Sequence, residues 1–178
     1  MAYMSTSELL VAATTLRWRN QTYACAIGQG GFSAHKREGD GATPLGRFPL
    51  RQVLYRADRL ALPPLQLPVH AIRSHDSWCD IPTHTHYNQL IAITEGDTEH
   101  TQERLWRDDH IYDIVVPLGY NDAPAIPGKG SAVFIHVARP GYPPTAGCIA
   151  LAKQDLLQLL PQLDSATICH TSAAPADA

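Results

Sequence analysis

The feature that most limits this chain is its punctuation. Fourteen prolines and twelve glycines interrupt 178 residues, and between them apolar residues alternate over short runs. Alternation at period two marks strands with one buried face, and the interruptions mark turns. "TLRWRNQTYACAI" carries Leu16 and Trp18, then Tyr23, Cys25 and Ile27, with Asn20-Gln21 as the turn between two strands. Further strands are expected over Val53–Tyr55, Val69–Ile72, Leu90–Thr94, Ile111–Pro117 and Ala132–Val137, whose β-branched and aromatic residues suit a pleated surface. The glycine-rich stretch 28–48 reads as a loop. One helix is expected, because Leu156, Leu157, Leu160 and Leu163 share a face, and Pro161 should kink or end it. "SATICH" adds a last strand. The expected architecture is mainly β, a β-sandwich with one or two packed helices. The expected domain spans 16–170, after an N-terminal segment 1–15 and before a frayed tail 171–178.

Composition excludes several classes. Hydrophobic residues at 44% and charged residues at 17% describe a packed globular protein. A net charge of −3 and the lack of a dense Lys/Arg run argue against a nucleic-acid binder. No apolar run approaches the ~18 residues of a membrane span. The N-terminus has no basic region ahead of an apolar core, so it does not read as a secretory leader. A cytoplasmic location is therefore expected, or a periplasmic one if a leader has been removed. Cys25, Cys79, Cys148 and Cys169 follow no repeating interval and are expected as reduced thiols.

"HVARPGYPPTAGCIAL" brings His136 and Cys148 close in sequence across a Pro- and Gly-rich turn. A thiol attacks as the thiolate, and a nearby imidazole can take its proton and return it to a leaving amine. Gly147 permits a sharp turn, and the N–H groups of Gly147 and Cys148 could face a developing oxyanion. A helix directly after the cysteine would further favour the thiolate. Taken alone, the spacing equally fits half a metal site, or a buried thiol beside an unrelated imidazole. The latter is the commoner reading of such a pair. "HAIRSHDSWCDIPTHTH" offers His70, His75, Cys79, His84 and His86, but their spacing matches no zinc signature, and no metal or cofactor is expected. Trp78, Tyr87 and Asn88 combine flat apolar faces with directional hydrogen bonding and suit a polar substrate edge. Arg37, Asp40 and Arg47 could orient a zwitterionic group. "GQGG" and "GDGATPLG" fit no phosphate-loop pattern, so their glycines are assigned to turns.

Four ordered segments together carry a resemblance. "HVARPGYPPTAGCIAL" contains the Ser/Thr-x-Gly-Cys element as Thr145-Ala146-Gly147-Cys148, and "KREGDGATPLGRFPL" contains Thr-Pro-x-Gly-x-Phe as Thr43 to Phe48. "WCDIPTHTHYNQLI" and "LWRDDHIYDIVVPLGYN" complete the set. The chain resembles the L,D-transpeptidase (YkuD-type) catalytic domain, in a short single-domain branch, over roughly residues 16 to 160. The resemblance implies a β-sandwich with Cys148 as nucleophile, His136 as base, and Gly147 and Thr145 in the same element. It also implies a peptidoglycan stem peptide or muropeptide as substrate, cleaved after diaminopimelate. Ala146 and Ala150 stand where the family often carries His and Arg or Asn, and the His-to-Cys loop is shorter than in many members. The thioester would pass to an amine, giving a transpeptidase, or to water, giving an L,D-carboxypeptidase of muropeptide recycling. A non-catalytic peptidoglycan-binding or zinc-binding module is the alternative from another class. It would form no adduct at Cys148, or would carry stoichiometric metal.

Overall fold

The computed structural model describes residues 7–94 and 103–174. In chain order its strands are β1 (Glu8–Ala12), β2 (Thr15–Trp18), β3 (Gln21–Ala26), β4 (Phe32–Ser33), β5 (Thr43–Pro44), β6 (Gly46–Pro49), β7 (Val53–Tyr55) and β8 (Val69–Ala71). They continue with β9 (Asp76–Trp78), β10 (Leu90–Ala92), β11 (Glu103–Arg104), β12 (Ile114–Pro117), β13 (Phe134–Val137), β14 (Ile149–Leu151) and β15 (Ile168–Ser172). Helix α1 (Lys153–Leu159) lies between β14 and β15. Ten strands form one mixed sheet in the order β6-β15-β1-β2-β3-β14-β13-β12-β7-β8. A small sheet, β10-β9-β11, and the two-residue pair β4-β5 complete the fold. The architecture is mainly β and sandwich-like, with one helix.

The middle of the large sheet is buried on both faces. Successive side chains of a strand point to opposite sides. On one side, Val53, Ile114, Val116, Ile135, Val137, Ile149 and Leu151 join a core with Leu9, Val11, Leu16 and Trp18. On the other side, Leu54, Val115, Phe134 and Cys148 join a second cluster with Ile72, Trp78, Leu105 and Tyr112. Phe134 is its hub, with Trp78 and Tyr112 edge-on at ring distances of 5.1 and 5.9 Å. A cleft lined by Cys148 and Tyr112 opens on this second side.

Helix α1 closes the first core through Leu156 and Leu159, followed by Leu160 and Leu163. Leu157 is only partly buried. Pro161 sits in a 3-10 turn (Leu160–Gln162) that ends the helix, as a residue without an N–H should. The turn between β2 and β3 lies at Arg19–Asn20, one residue earlier than expected, with Arg19 at φ 55°.

The stretch read as a loop contains β4, β5 and β6, short pairings that a pattern of glycines does not reveal. The sheet also reaches further toward the N-terminus than Leu16. Strand β1 runs parallel to β15 and antiparallel to β2, with Leu9 opposite both Cys169 and Trp18. Its partner in β15 lies at the other end of the chain, so a local pattern carries no trace of it. Thr171 and Ser172, expected in the tail, belong to β15, whereas 175–178 lie outside the described residues. All four cysteines are free and buried. Among the described residues no helix is long and apolar enough to cross a membrane.

Leu9 is completely buried in the middle of this arrangement. Leu9→Ala is expected to destabilise the protein by about 2–5 kcal/mol through the lost methyl groups and the cavity they leave. Urea unfolding measures this, and a change within about 0.5 kcal/mol of zero, ordinary for a surface site, would detach β1 from the cooperative core.

Candidate active site

The register of two strands sets the site. Strands β13 and β14 run parallel with His136 opposite Ala150, so Cys148, two residues before Ala150, lies on the same face as His136 and Phe134. His136 and Cys148 both line a cleft of about 420 Å³. Each is nearly buried, at 6% and 8% exposure. The Cys148 Sγ donates to the Ala132 carbonyl at 3.2 Å and accepts the Phe134 N–H at 3.4 Å. His136 Nδ1 lies 2.9 Å from the Val137 carbonyl. A carbonyl only accepts, so Nδ1 carries the proton and Nε2 is left as the basic nitrogen.

The backbone at Cys148 is held by glycine contacts and hydroxyls. Gly147 has φ +138°, and a Cβ there would stand 2.9 Å from the Ala42 carbonyl oxygen. A Cβ on Gly28 would come within 2.2 Å of the Gly41 oxygen and 2.9 Å of the Gly147 Cα. The glycines assigned to turns therefore allow three backbone segments to touch. Thr43 Oγ1 donates to the Gly147 carbonyl at 2.8 Å and accepts the Gly28 N–H at 2.9 Å. Thr145 Oγ1 donates to the Cys148 carbonyl at 2.6 Å and accepts the Gly147 N–H at 3.1 Å.

Two expectations change here. The Gly147 N–H is committed to Thr145 and is not a free oxyanion donor. Cys148 leads into β14 rather than a helix, and α1 begins only at Lys153, so the thiol does not stand in the first turn of a helix.

Burial dominates the electrostatics. It pushes the Cys148 thiol up to about 12, against weaker pulls from the Phe134 N–H and Lys36. Burial also pushes His136 down to about 4, although its bond to Val137 works the other way. The resting pair is thus a neutral thiol and a neutral imidazole. Tyr112 packs edge-on to His136 with rings 5.3 Å apart and donates to Glu103 at 2.8 Å. Asp80 has a buried oxygen with no hydrogen-bond partner among the described residues, and burial, then Glu38 and Glu103, raise it to about 6. Arg107 and Arg139 also line the cleft but share Asp109.

The residues expected at the substrate edge divide. Thr145 lines the cleft. Trp78, Tyr87 and Asn88 stand behind it as buried supports. Trp78 Nε1 and the Ala132 N–H both donate to Asn88 Oδ1, at 2.9 and 3.1 Å, and Asn88 Nδ2 donates to the Tyr120 and Asn121 carbonyls. Asn88 has φ 61°, which asparagine tolerates. Tyr87 donates to Glu38 and accepts the Gly130 N–H. Aromatic rings with polar handles suit such buried posts as well as a substrate edge, so the sequence pattern alone does not separate the two.

Arg37 and Arg47 are exposed and outside the cleft, and Arg47 pairs with Glu8. Asp40 organises its own loop, accepting Lys36 Nζ and the N–H groups of Arg37 and Ala42. His70 pairs with Asp76 at 2.8 Å, His84 and His86 rings contact each other, and Cys79 is fully buried. Among the described residues no three His, Cys, Asp or Glu side chains converge as a metal set. The cleft residues that sequence reasoning missed include Lys36, Asp80, Glu103, Arg107 and Tyr112. Lys36, Asp80, Arg107 and Tyr112 fall within the quoted segments, which assigned them no role, and Glu103 falls outside them.

The L,D-transpeptidase catalytic domain (YkuD) family model matches residues 6–170. No curated protein and no solved structure matches.

Thr43 is fully buried and serves both Gly28 and Gly147. Thr43→Val keeps its shape while orphaning an N–H and a carbonyl, at about 1–3 kcal/mol each. Denaturant unfolding should register this loss, and a neutral substitution would remove Thr43 from the support of the turn.

Proposed function

The chain belongs to the YkuD family of L,D-transpeptidase catalytic domains, matched over 6–170, and on that premise we propose that it performs cysteine acyl transfer on peptidoglycan stem peptides. The observation that carries this reading is the shared cleft of Cys148 and His136, with His136 Nδ1 tied to Val137 so that Nε2 is the free base. Cys148 attacks the carbonyl of diaminopimelate in a tetrapeptide stem while its proton passes to His136. The bond to D-alanine breaks as His136 returns the proton to the departing nitrogen, leaving a thioester at Cys148. An amine on a second stem peptide then takes the acyl group and forms a cross-link. With water in its place the product is a tripeptide.

The neutral resting pair gives this mechanism a particular form. The thiolate is not stored, so proton transfer accompanies attack and depends on the charge that develops on the substrate. A thiol held near 12 is also poorly reactive toward adventitious electrophiles.

Cys148→Ala is expected to abolish turnover of disaccharide-tetrapeptide while the thermal unfolding midpoint stays within a few degrees, about the shift of a 1 kcal/mol change. Mass spectrometry of the products decides the acceptor. Dimers, or tetrapeptides that exchange their terminal residue for an added D-amino acid, support acyl transfer to an amine; tripeptide alone would replace it with hydrolysis. Activity in Cys148→Ala would remove the thioester altogether.

The pH profile supplies a second test. His136 works as a base only when neutral, and its value is depressed from 6.5 to about 4. The acid limb of kcat/KM should therefore lie near pH 4 rather than 6.5. Stability carries the same sign, because the unfolded imidazole takes up a proton on acidification before the folded one does. His136 thus lowers stability as pH falls from 6.5 toward 4. An acid limb at 6.5 or above would contradict the buried, neutral base.

A further inference from the structure

We propose that Lys36 is a catalytic electrostatic residue of this site, its ammonium placed at the Gly147 backbone to hold the negative charge that forms on the substrate's carbonyl oxygen. The proposal rests on the acyl-enzyme reading above and adds a residue to it. Lys36 lines the cleft, yet its side chain is only 6% exposed. Its stem fills space that two glycines leave open. A Cβ on Gly130 would stand 3.0 Å from Lys36 Cε and 3.4 Å from Cδ and Cγ. At the far end, a Cβ on Gly147 would stand 3.5 Å from Nζ. The ammonium thus ends beside the residue that precedes Cys148.

Its orientation is fixed but not exhausted. Nζ carries three N–H groups and gives one to Asp40 Oδ1 at 2.8 Å. Asp40 is itself held by the N–H of Arg37 at 2.7 Å and of Ala42 at 2.9 Å, so the ion pair stands on a braced loop. Among the described residues no other acceptor is bonded to Nζ. Burying an ammonium is costly unless it is paired and hydrogen-bonded, so its remaining N–H groups favour an anionic partner. Of the two backbone N–H groups expected to face the oxyanion, those of Gly147 and Cys148, the first is spent on Thr145. Lys36 replaces it with a charged donor, which is stronger than a neutral one.

The step balances without a further reagent. The Sγ–C bond forms as the thiol proton moves to His136 Nε2, and the carbonyl π pair collects on oxygen. On collapse that pair restores the C=O, the C–N bond breaks, and the His136 proton goes to the leaving nitrogen. Lys36 keeps its own protons throughout.

Two other roles for Lys36 make different predictions. As a loop pin it would affect stability alone, and as a reader of the terminal carboxylate it would act on binding of substrates that carry one. The experiment measures kcat and KM for wild type, Lys36→Met, Lys36→Gln and Lys36→Arg on disaccharide-tetrapeptide and on its C-terminal amide. Lys36→Met should lower kcat by about 100-fold or more, the loss typical of a removed oxyanion donor, on both substrates and with little change in KM. Lys36→Arg, which keeps the charge, should retain more kcat than Lys36→Gln. A lower unfolding midpoint with kcat intact would overturn the proposal in favour of a loop pin. A loss confined to KM on the free-acid substrate would overturn it in favour of carboxylate recognition. Should Lys36→Met fail to fold, equal kcat in the Arg and Gln variants would overturn it. Cys148→Ala run alongside separates the failures, because residual activity there defeats the thioester reading whatever Lys36 does.

Discussion

Strand β13 has no solvent face, and the site follows from that constraint. Its odd-numbered residues, Val133 just before it and then Ile135 and Val137, enter the main core, and Phe134 enters the second cluster. His136 shares the side of Phe134 by parity alone. Pairing with β14 then fixes Cys148 opposite Phe134, because His136 faces Ala150. A slip of one residue would exchange the two faces of β14 and send Cys148 into the main core. Hydrophobic burial on one side of the sheet thus sets the direction of the polar pair on the other.

A second constraint is the close approach of backbones around Gly147. Gly28, Gly41 and Gly147 meet at distances that admit no side chain, and Thr43 joins two of the segments by hydrogen bonds. The same loop carries Asp40 and Lys36, so a device that packs the turn also delivers a charge to it. Asn88 plays the corresponding part from behind. It receives the Ala132 N–H while the Ala132 carbonyl receives the Cys148 thiol. Both supports come from segments remote in sequence, and both act on backbone groups.

Burial gives this site its chemical character. It raises the thiol and lowers the imidazole, so neither carries charge at rest. Burial raises the Asp80 carboxyl, and the neighbouring Glu38 and Glu103 raise it further. The basic groups Arg107 and Arg139 are occupied by Asp109, and Lys36 lies nearest the turn. In the proposed reaction, the charge that develops meets a cleft in which positions, rather than net charge, decide what is stabilised.

Period-two alternation determined the β class, and six of the eight strands it places stand within two residues of their expected bounds. Strands β12 and β15 begin three residues late, and β1, β4, β5, β6, β9, β11 and β14 have no counterpart in the pattern. The heptad-like leucines and Pro161 determined one short helix and its end. The quoted segments carried the family, and the residues that the resemblance named, His136, Thr145, Gly147 and Cys148, line one cleft. Other features were beyond the sequence by itself. Strand β1 depends on β15, its parallel partner from the opposite end of the chain. Whether Trp78, Tyr87 and Asn88 face substrate or support the cleft depends on what packs over them, since amphipathic side chains suit either post. The commitment of the Gly147 N–H and the placement of Lys36 depend on loops folding across Gly28 and Gly130. A side chain's type is written in the sequence, but its partners and its charge are set by the surfaces that close around it.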